Sequence, residues 1–490
     1  MIYNFHHANC WMKGGIEEAI AYRARAFRNL GLAARFVFTN EFLECNIQKE
    51  TAFLGFLDSE VIWIYGFFTD CIISPVTYRL ELLESTFADN NYIFSRNKDI
   101  VKYQFPDLNV YYIVSMTDET SDFVHRVLMI SNGCVVRKDY YTYCRIYSEY
   151  YIPMDGREHL YLRRFFNEDG SIAYEEMADG ETMLYKFPNR LLYSREELVE
   201  YMISCLRLTG DDVVLIDGGD GFIDKAAFIQ NVFPARTGFI IHTDHYDFRY
   251  TDEDQILWYR WLEFAFSHPE KINFFVTNTD AQTKLIKEQF LHYKGLNVRV
   301  ETIPAAYLDR IRIPESRKKH SLVTASRLEN DKRVNLIIDA VVLARRVIPD
   351  LTLDIYGRGK NEKDLREQID DLKCHDYVRL CGFQKLDEIY QNYEAYITAS
   401  YGETFGITLL EAVGSGLPIV GFDRQYGMQI FVDDGENGFK IFYASAQGLA
   451  DGIVRLFTEA DLEAFQAHSY KKAEVYLKEE VEKKWKNLLC

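Results

Sequence analysis

Short apolar runs and longer amphipathic stretches alternate along the first 70 residues of the chain. Gly14-Gly15 opens a helical pattern that extends from Ile16 to Leu30, and strand-like runs occupy Ile2–Phe5, Ala34–Thr39 and Val61–Tyr65. Strands that alternate with helices in this way form βαβ units, whose strands pair in parallel. The pattern therefore predicts that the chain begins in an α/β domain.

The pattern changes between Thr77 and Leu192, where helical periodicity fades and aromatic and β-branched residues predominate. Four hairpin-type dipeptides interrupt this region: Asn132-Gly133, Asp155-Gly156, Asp169-Gly170 and Asp179-Gly180. Because Asn-Gly and Asp-Gly favour tight hairpin turns, residues 77–192 are predicted to form an inserted antiparallel β-meander. Its aromatic surface either packs on the neighbouring domain or forms a protein–protein interface. The tyrosines concerned are Tyr140, Tyr141, Tyr143, Tyr147, Tyr150 and Tyr151.

The α/β pattern resumes at Arg195 and completes the first α/β unit. Helices are predicted there at Arg195–Leu208 and Trp258–Phe266, and strands at Val213–Asp217, Gly238–His242, Phe274–Thr277 and Val298–Ile303. A second α/β unit follows, with predicted strands at Ser321–Ala325, Leu351–Tyr356, Val378–Leu380, Tyr396–Ala399 and Pro418–Gly421. Its predicted helices are Asn335–Val347, Glu362–Leu372, Leu386–Tyr393, Ile407–Ser415 and Ala446–Thr458, and a long amphipathic helix is expected over Glu463–Leu489.

The predicted fold class is α/β, with two doubly wound, Rossmann-like domains that face a cleft and an antiparallel β-meander inserted into the first. Residues 1–76 and 193–305 are assigned to the first domain, 77–192 to the insertion, 306–470 to the second domain and 471–490 to a C-terminal helix. A basic cluster stands where the two α/β units meet. It is predicted to be a solvated linker, and contact with an anionic membrane surface is the alternative. Its members are Arg310, Arg312, Arg317, Lys318, Lys319 and His320.

Composition narrows the functional classes. The formal net charge of −18 disfavours a general nucleic-acid binder. No apolar stretch approaches the roughly 18 residues of a membrane span, and the N-terminus lacks the pattern of a signal peptide. Nine cysteines are scattered without C-x-x-C spacing, which favours a reducing cytoplasm over a disulfide framework. The histidines form no H-E-x-x-H pattern, so a zinc site is not expected.

Two glutamates flank a predicted strand-to-helix junction. Glu403 lies in the loop after the strand at Tyr396–Ala399, and Glu411 lies about one and a half turns into the next helix. A helix N-terminus attracts polar ligands through its unpaired N–H groups. A carboxylate there repels a bare phosphate but accepts hydrogen bonds from hydroxyls, which suits a sugar nucleotide. Taken singly, each glutamate is equally consistent with a solvated surface residue.

Other polar residues follow predicted strands at the same kind of position. Arg327 and Lys332 follow the first strand of the second domain and can converge on a diphosphate. Four further candidates are the Gly14-Gly15 turn, His242 at a strand end, the turn that holds Gly357 and the turn that holds Gly382-Phe383. Ligands of doubly wound sheets bind at the carboxyl ends of the strands. Each of these candidates has a structural alternative, as a surface ion pair, a packed histidine or a β-to-α turn.

Taken together, the motifs resemble those of retaining glycosyltransferases of family 4, which have the GT-B fold. The matching stretches are Ser326-Arg327-Leu328 with Lys332, Tyr356-Gly357-Arg358-Gly359, Gly382-Phe383, and Glu403 to Pro418. The first half resembles the catalytic subunit of the serine-rich adhesin O-glycosyltransferases of accessory Sec systems. There the matching stretches are Gly15 to Glu18, Ser148 to Tyr151, Phe166 to Tyr174, and Thr251 to Asp254.

The resemblance implies an enzyme that moves GlcNAc or glucose from UDP to serine or threonine hydroxyls of an adhesin before its export, with retention of configuration. It implies catalytic roles for Glu403, Arg327, Lys332 and His242. The donor sugar would contact His242, Glu403, Thr404, Phe405 and Gly406. UDP would contact Gly15, Ile16, Glu17, Glu18, Gly357, Gly382, Phe383 and Glu411, with the ribose hydroxyls on Glu411.

The same resemblance implies partners and a location. A degenerate glycosyltransferase homologue would dock on the β-meander, in a homo- or hetero-oligomer, and a serine-rich repeat protein would be the acceptor. The enzyme would be cytoplasmic, with peripheral contact at the inner face of the cell membrane as a further expectation. Nucleic acid is not an expected partner. His242-Thr-Asp-His245 and Thr404 differ from the residues that are commonest in the family at these positions, which leaves UDP-GlcNAc and UDP-glucose both open as donors.

The chemistry fits this role without a cofactor. Departure of UDP leaves negative charge on the diphosphate, which fixed cations and helix N-terminal N–H groups stabilise. The attacking hydroxyl can give its proton to the leaving phosphate, and no metal ion is expected. Two alternatives stay open: a glucosyltransferase acting on teichoic-acid polyol phosphate, and a non-catalytic chaperone subunit of a glycosyltransferase complex. The acidic chain is less suited to a polyanionic acceptor, and the intact polar motifs argue against a non-catalytic subunit.

Overall fold

The computed structural model of the protein describes residues 1–6, 14–42, 45–87, 90–154, 156–179, 182–218 and 225–490. Two parallel sheets and one antiparallel sheet account for its strands, which confirms the predicted α/β class with an inserted meander. The described part of the chain contains no helix with the length and hydropathy that crossing a bilayer requires.

The first elements in the chain are β1 (Ile2–His6), α1 (Gly15–Asn29), β2 (Ala34–Phe38), α2 (Ile47–Leu54), β3 (Val61–Trp63) and α3 (Leu80–Glu84). Ten antiparallel strands follow: β4 (Ile93–Asn97), β5 (Ile100–Phe105), β6 (Val110–Met116), β7 (Val124–Ser131), β8 (Cys134–Tyr141), β9 (Arg145–Met154), β10 (Arg157–Phe166), β11 (Ile172–Asp179), β12 (Thr182–Phe187) and β13 (Arg190–Leu192).

The α/β pattern then resumes with α4 (Arg195–Leu206), β14 (Val213–Gly218), α5 (Lys225–Asn231), β15 (Arg236–Ile241), α6 (Arg260–Ser267), β16 (Phe274–Thr277), α7 (Asp280–Lys294) and β17 (Val300–Thr302). The parallel sheet of this part has the order β17-β16-β15-β14-β1-β2-β3.

The second α/β part contains β18 (Ser321–Ala325), α8 (Val334–Ala344), β19 (Thr352–Tyr356), α9 (Glu362–Asp371), β20 (Val378–Gly382), β21 (Ala395–Thr398), α10 (Ile407–Gly414), β22 (Ile419–Phe422), α11 (Gly427–Phe431), β23 (Gly438–Ile441), α12 (Ala446–Thr458), α13 (Leu462–Glu474) and α14 (Lys478–Leu489). Its parallel sheet has the order β20-β19-β18-β21-β22-β23. The strand order reverses direction beside β18, and ligands of such sheets bind at that switch point.

The chain divides into two compact units. Unit 1 comprises Met1–Lys13, Leu32–Phe239 and Arg260–Asn273, and unit 2 comprises Gly14–Gly31, Ile240–Tyr259 and Phe274–Cys490. Unit 2 thus holds α1 together with the second α/β part, and the Phe27 ring of α1 packs edge-on against Trp485 of α14 at 5.2 Å. The domain boundaries drawn from the sequence stay predictions.

Within unit 1, an aromatic stack joins the antiparallel sheet to the segment after β3. Tyr147, Phe165 and Tyr174 on neighbouring strands stack at 5.5 Å and 4.4 Å, and Tyr65 stacks on Phe165 at 5.6 Å. Burial of large aromatic rings contributes strongly to such a core. Of the two interpretations of the tyrosine-rich surface, packing on the neighbouring α/β segment holds for this part of the sheet.

The hairpin turns agree with the prediction where they are described. Asn132 and Gly133 have φ angles of 51° and 81°, the left-handed values that a two-residue hairpin turn requires, and Gly170 has φ of 81°. The other two predicted turns, Asp155-Gly156 and Asp179-Gly180, lie partly outside the described residues.

Two predicted helices are wrong. Over Leu386–Tyr393 the backbone forms successive i→i+3 hydrogen bonds and a short 3₁₀ turn, which places the Tyr390 and Tyr393 side chains together in the core. The long C-terminal helix is interrupted after α13, because Leu308 forms a bridge with Leu477 and bonds the backbone on either side of it. The sequence-based assignment also missed α2, α5, α7, α11 and β23.

The basic cluster is not a solvated linker. Arg317 donates hydrogen bonds to the carbonyl oxygens of Gln391, Tyr393 and Ser415 and to the Tyr470 hydroxyl, over 2.6–3.0 Å. Arg310 and Arg312 pair with Glu388, and His320 contacts Asp350 at 2.7 Å. These contacts hold the segment to the second α/β part, and the exposed members of the cluster are Arg310, Lys318 and Lys319.

Candidate functional site

The loop that carries Glu403 is held by its own backbone. The Glu403 carbonyl oxygen accepts hydrogen bonds from the N–H groups of Tyr426 and Gly427, at 2.9 Å and 2.6 Å. A Cβ on Gly427 would lie 2.4 Å from the Phe405 carbonyl oxygen, so glycine is required for this close approach. Gly406, at φ 86°, then caps α10. The Glu403 side chain therefore projects from a fixed position at the helix N-terminus.

Three predicted catalytic residues are brought together here. Lys332 Nζ donates to Glu403 Oε1 at 2.6 Å, and the same ammonium lies 3.6 Å from Asp331 Oδ2. Arg327 Nη2 lies 3.9 Å from the same Asp331 oxygen. Both cations thus contact Asp331, an acidic residue that the sequence analysis missed, and Lys332 also contacts Glu403. The position of Asp331 directly before Lys332 was the available signal.

Arg327 lies on a loop that packs against the second predicted turn. The Ser326 N–H bonds the Tyr356 carbonyl at 3.1 Å, and the Leu328 N–H bonds the Arg358 carbonyl at 2.9 Å. A Cβ on Gly357, whose φ is 139°, would lie 1.8 Å from the Ser326 carbonyl oxygen. Only glycine allows these two strand-end loops to approach so closely.

Gly357 also connects this loop to the third predicted turn, because its N–H donates to the Gly382 carbonyl oxygen at 2.9 Å. Gly382 has φ of 70° and open space where a Cβ would be. Phe383 follows it and is 46% exposed. The strand-end loops of β18, β19 and β20 therefore form one connected rim.

Glu411 lies in an acidic, enclosed part of the site. Burial raises its pKa to about 8, and the carboxylates of Asp387 and Glu18 add to the effect, whereas Tyr390 and Arg312 oppose it. Two predicted UDP contacts, Glu18 of α1 and Glu411 of α10, therefore face the same space. A hydroxyl-rich ligand that donates hydrogen bonds would stabilise the ionised form of Glu411.

Three aromatic and acidic neighbours of Glu411 were missed from the sequence: Tyr22, Tyr390 and Asp387. The fully buried hydroxyl of Tyr390 faces the Glu411 carboxyl group, and its pKa is raised by burial and by Glu411. Burial and Glu411 also raise the pKa of Tyr22. Tyr22 stands one helical turn after Glu18 on α1, which is the signal that could have identified it.

The predicted UDP contacts at the N-terminus of α1 differ in what their side chains do. Glu17 Oε2 accepts a hydrogen bond from the Gly14 N–H at 3.0 Å and so caps its own helix. Gly15 is exposed, has no positive φ and has nothing within 4 Å of an added Cβ, so the fold itself does not require glycine there. Open space at Gly15 is consistent with close approach of a ligand, and Ile16 lies beside it, half-buried.

His242 directly follows β15 and lines a pocket with Tyr22 and Asn278. The second histidine of this loop, His245, is fully buried against Gln289 at 2.7 Å, and burial lowers its pKa to about 4. Between the two histidines lies Asp244, and burial together with the Asp244 carboxylate raises the pKa of Tyr426. The His242 loop therefore reaches the residue whose N–H fixes the Glu403 carbonyl.

Phe405 does not present its side chain to the site. Its ring is 4% exposed and packs against Phe431 and Tyr476, with centroid distances of 5.3 Å and 5.9 Å. Of this predicted sugar contact only the backbone is available. Thr404 and Gly406 on either side are half-buried.

Among the described residues, one group could supply three ligands to a metal ion: Asp433, Glu436 and His468. None of the predicted site residues belongs to it. The ammonium of Lys472 lies 3.0 Å from Asp433 and competes for that carboxylate.

Comparison with known proteins bears on both halves of the chain. The family model "Glycosyl transferases group 1" matches residues 309–473, and "GtfA extended beta-sheet domain" matches residues 93–189. The GtfA subunit of the UDP-N-acetylglucosamine–peptide N-acetylglucosaminyltransferase of Streptococcus parasanguinis is 41% identical, over 100% of this chain and 98% of that relative.

Solved structures agree in fold over the whole chain. The pneumococcal O-GlcNAc transferase GtfA in complex with UDP and GlcNAc has a TM-score of 0.95 at 36% identity, covering 100% of this chain and 98% of that one. A chain of a GtfA/B complex has a TM-score of 0.91 at 39% identity, with the same coverage.

Proposed function

The chain belongs to the GtfA family of UDP-N-acetylglucosamine–peptide N-acetylglucosaminyltransferase subunits, and from this premise we propose that it glycosylates serine and threonine hydroxyls of a serine-rich adhesin before export. The donor is UDP-GlcNAc, with UDP-glucose as the second candidate. The observation that carries the proposal is the group of Arg327, Lys332 and Glu403 at the strand ends of a GT-B sheet.

Each part of the donor has a counterpart in this group. Arg327 and Lys332 hold the diphosphate, the cations being placed where negative charge grows as UDP departs. Lys332 uses one of its three N–H donors on Glu403 and can offer another to a phosphate oxygen. Glu403 and His242, with the backbone of Thr404 to Gly406, hold the sugar.

The nucleoside occupies the connected rim and the acidic pocket. Glu411 accepts from the ribose hydroxyls, the Tyr390 hydroxyl completes that polar wall, and Phe383 stacks on the base. Gly15 allows the ligand to approach α1, with Ile16 and Glu18 beside it, and Gly357 and Gly382 shape the loops. Glu17 acts indirectly, since it caps the helix.

The reaction proceeds with retention of configuration. The acceptor hydroxyl attacks the anomeric carbon as the bond to the diphosphate breaks, and its proton passes to the leaving phosphate. The fixed cations stabilise that phosphate without a metal ion. The Glu403 carboxylate forms an ion pair with Lys332. We therefore assign Glu403 to positioning the sugar and not to nucleophilic attack.

Incubation of the purified full chain with each UDP-sugar tests the proposal. A serine-rich peptide, the same peptide with alanine at every serine and threonine, and a polyol phosphate polymer serve as acceptors. We expect the hexosamine mass on the hydroxylated peptide alone. Incorporation only into the polyol phosphate would favour the teichoic-acid alternative, and failure to turn over or bind any UDP-sugar would favour a non-catalytic subunit.

The partner is a degenerate glycosyltransferase homologue that docks on the ten-stranded sheet to form a hetero-oligomer. The support is the relationship to a chain of a GtfA/B complex and a surface on the sheet. Ile93, Tyr111, Ile130 and Val135 follow one another across β4 to β8, with Gln104 of β5 between the first two. Paired residues share a face of a sheet, so these side chains form one outer apolar row.

The outer apolar row is accessible. Ile93 is 59% exposed and Tyr111 is 39% exposed, and Ile130 and Val135 are half-buried. Solvent-exposed apolar residues that adjoin on one face are typical of protein interfaces.

The reaction takes place in the cytoplasm, where the adhesin is not yet exported. A peripheral membrane contact would rest on Lys318 and Lys319, the exposed lysines of the basic cluster.

A further inference from the structure

Two cysteine thiols lie together where the chain leaves β3 for the antiparallel sheet. The Sγ atoms of Cys71 and Cys144 are 3.7 Å apart, and both side chains are partly exposed. A disulfide bond has a sulfur–sulfur distance of about 2.05 Å, so a small side-chain rotation brings the two sulfurs within bonding distance. Both residues belong to unit 1.

The backbone around the two thiols is held in register. The Ile72 N–H, next to Cys71, donates to the hydroxyl of Tyr143, next to Cys144, at 3.0 Å. Asp70 accepts from the Glu168 N–H at 2.7 Å, which holds the same segment to the β10–β11 turn. One hydrogen bond thus links the two cysteine-bearing segments directly, and a second holds the Cys71 segment to an adjacent turn. Such prior positioning favours reaction between them over reaction with a distant thiol.

The two sulfurs differ in their tendency to ionise. A hydrogen bond from the Cys144 thiol lowers the pKa of Cys71, with a further contribution from the Thr69 hydroxyl. The pKa of Cys144 is raised by the same pairing and by burial. Since the thiolate is the nucleophile in thiol–disulfide exchange, Cys71 is the sulfur that attacks first.

We propose that Cys71 and Cys144 form a redox-sensitive dithiol that low-molecular-weight disulfides convert into an intramolecular disulfide. The Cys71 thiolate attacks one sulfur of the external disulfide, which forms a mixed disulfide and releases one small thiolate. Cys144, after losing its proton to solvent, attacks the Cys71 sulfur and displaces the second small thiolate. Two protein thiols are oxidised and one external disulfide is reduced to two thiols.

The bond would close a loop that contains β4 to β8. It would join the segment after β3 to the turn between β8 and β9, and so fix the base of the antiparallel sheet to the parallel strands of unit 1. Restricting the unfolded chain in this way stabilises a fold more when the closed loop is long. In a reducing environment the pair stays a dithiol, and oxidation makes the sheet more resistant to opening.

Peptide mapping of the oxidised protein tests the proposal. The full chain is incubated with oxidised glutathione, the remaining thiols are alkylated, and the unreduced digest is examined by mass spectrometry. We expect a cross-linked peptide pair containing Cys71 and Cys144, lighter than the sum of its parts by two hydrogen atoms and cleaved by dithiothreitol. Recovery of both cysteines in alkylated form would overturn the proposal, and this measurement needs no variant to fold.

Single substitutions assign the two sulfurs. Cys144→Ser is expected to trap a glutathione adduct on Cys71, and Cys71→Ser to trap one on Cys144, because neither variant keeps the second thiol that would displace glutathione. Cys205→Ser, which removes an exposed cysteine on α4, is the matched control and keeps the cross-link. Formation of the internal cross-link without a stable adduct in either single variant, or loss of the cross-link in the control, would contradict the pairing of Cys71 with Cys144.

Discussion

At the scale of single residues, the site depends on one short ion pair. Lys332 and Glu403 bond at 2.6 Å, and the carbonyl of Glu403 is held separately by two backbone N–H groups. The side chain can therefore change while the loop keeps its shape. Glu403→Gln should fold normally and lower sugar transfer by roughly 100-fold or more, because the amide neither positions the sugar as the carboxylate does nor orients Lys332.

Initial rates with UDP-GlcNAc, together with thermal melting, check this expectation. Glu367→Gln is the matched control, since Glu367 forms an exposed ion pair with Lys363 on α9 far from the strand ends. Transfer at the wild-type rate in Glu403→Gln, with unchanged melting, would refute its role in the site.

Glu411 gives the site a pH dependence. The folded protein holds a proton on Glu411 up to about pH 8, whereas an exposed glutamate loses it near 4.5. Between these values the folded state binds more protons than the unfolded state, so the free energy of unfolding falls as pH rises. Glu411→Gln removes this loss, and we expect it to stabilise the protein relative to wild type by roughly 4–5 kcal/mol at pH 9 and by little at pH 4.

Urea unfolding at several pH values measures the difference, with Glu367→Gln following the wild type. UDP affinity supplies an independent readout: ribose hydroxyls favour the ionised carboxylate, so wild-type binding should tighten as pH rises toward 8 and the Gln variant should lose this trend. Parallel pH profiles for wild type and Glu411→Gln would show that Glu411 does not titrate in this range.

At the scale of elements, Arg317 connects three parts of the second α/β fold. Its guanidinium bonds the turn after Leu386, the end of α10 at Ser415, and Tyr470 of α13. Burial lowers its pKa, yet the surrounding carbonyl oxygens satisfy its donors. Arg317→Ala would leave these buried acceptors without a donor, and we expect destabilisation of roughly 3–5 kcal/mol.

The denaturation midpoint of the variant tests this, with Lys319→Ala as the control from the same basic cluster. Lys319 is exposed, so its removal should change stability by no more than about 0.5 kcal/mol. Equal midpoints for the two variants would mean that the hydrogen bonds of Arg317 contribute nothing to the fold.

Elements whose structure depends on contacts distant in sequence, such as those of Arg317, were not predicted. Periodicity located β16, β18 and α12 at their observed bounds, because local alternation of apolar residues decides those elements. It failed at Leu386–Tyr393 and after α13, where Leu308 and the core positions of two tyrosines override helical preference. A run of basic residues in a sequence predicts a solvated segment. The carbonyl oxygens that Arg317 bonds lie some 70 to 100 positions further along the chain, so the sequence does not indicate these contacts.

The site was predictable to a similar extent. Motif spacing predicted that Arg327, Lys332 and Glu403 lie at neighbouring strand ends, where the structure brings them together, and their roles stay predictions. Tyr390 and Asp387 were missed because the helix predicted there would have pointed them elsewhere. Phe405 was predicted to contact the sugar because it lies within the Glu403 to Gly406 motif. A sequence motif does not indicate which of its side chains point into the core.

At the scale of the whole molecule, the antiparallel sheet has two roles along one face. At β9 to β11 that face carries Tyr147, Phe165 and Tyr174, which pack with Tyr65 after β3. Deleting a block such as residues 120–185 would therefore uncover part of the core of unit 1, as well as remove a docking surface. A test of partner binding must change the outer apolar row and leave the aromatic stack intact.

The triple variant Ile93→Ser, Tyr111→Ser and Ile130→Ser meets this requirement, because it alters only the outer apolar row. We expect it to lose at least about tenfold in affinity for the partner subunit, since exposed apolar anchors dominate such interfaces, while UDP binding stays unchanged. Tyr443→Ser, at a side chain 85% exposed in unit 2, is the matched control and should keep full affinity. Calorimetric titration of the partner into each variant measures the effect, and wild-type affinity in the triple variant would place the docking surface elsewhere on the molecule.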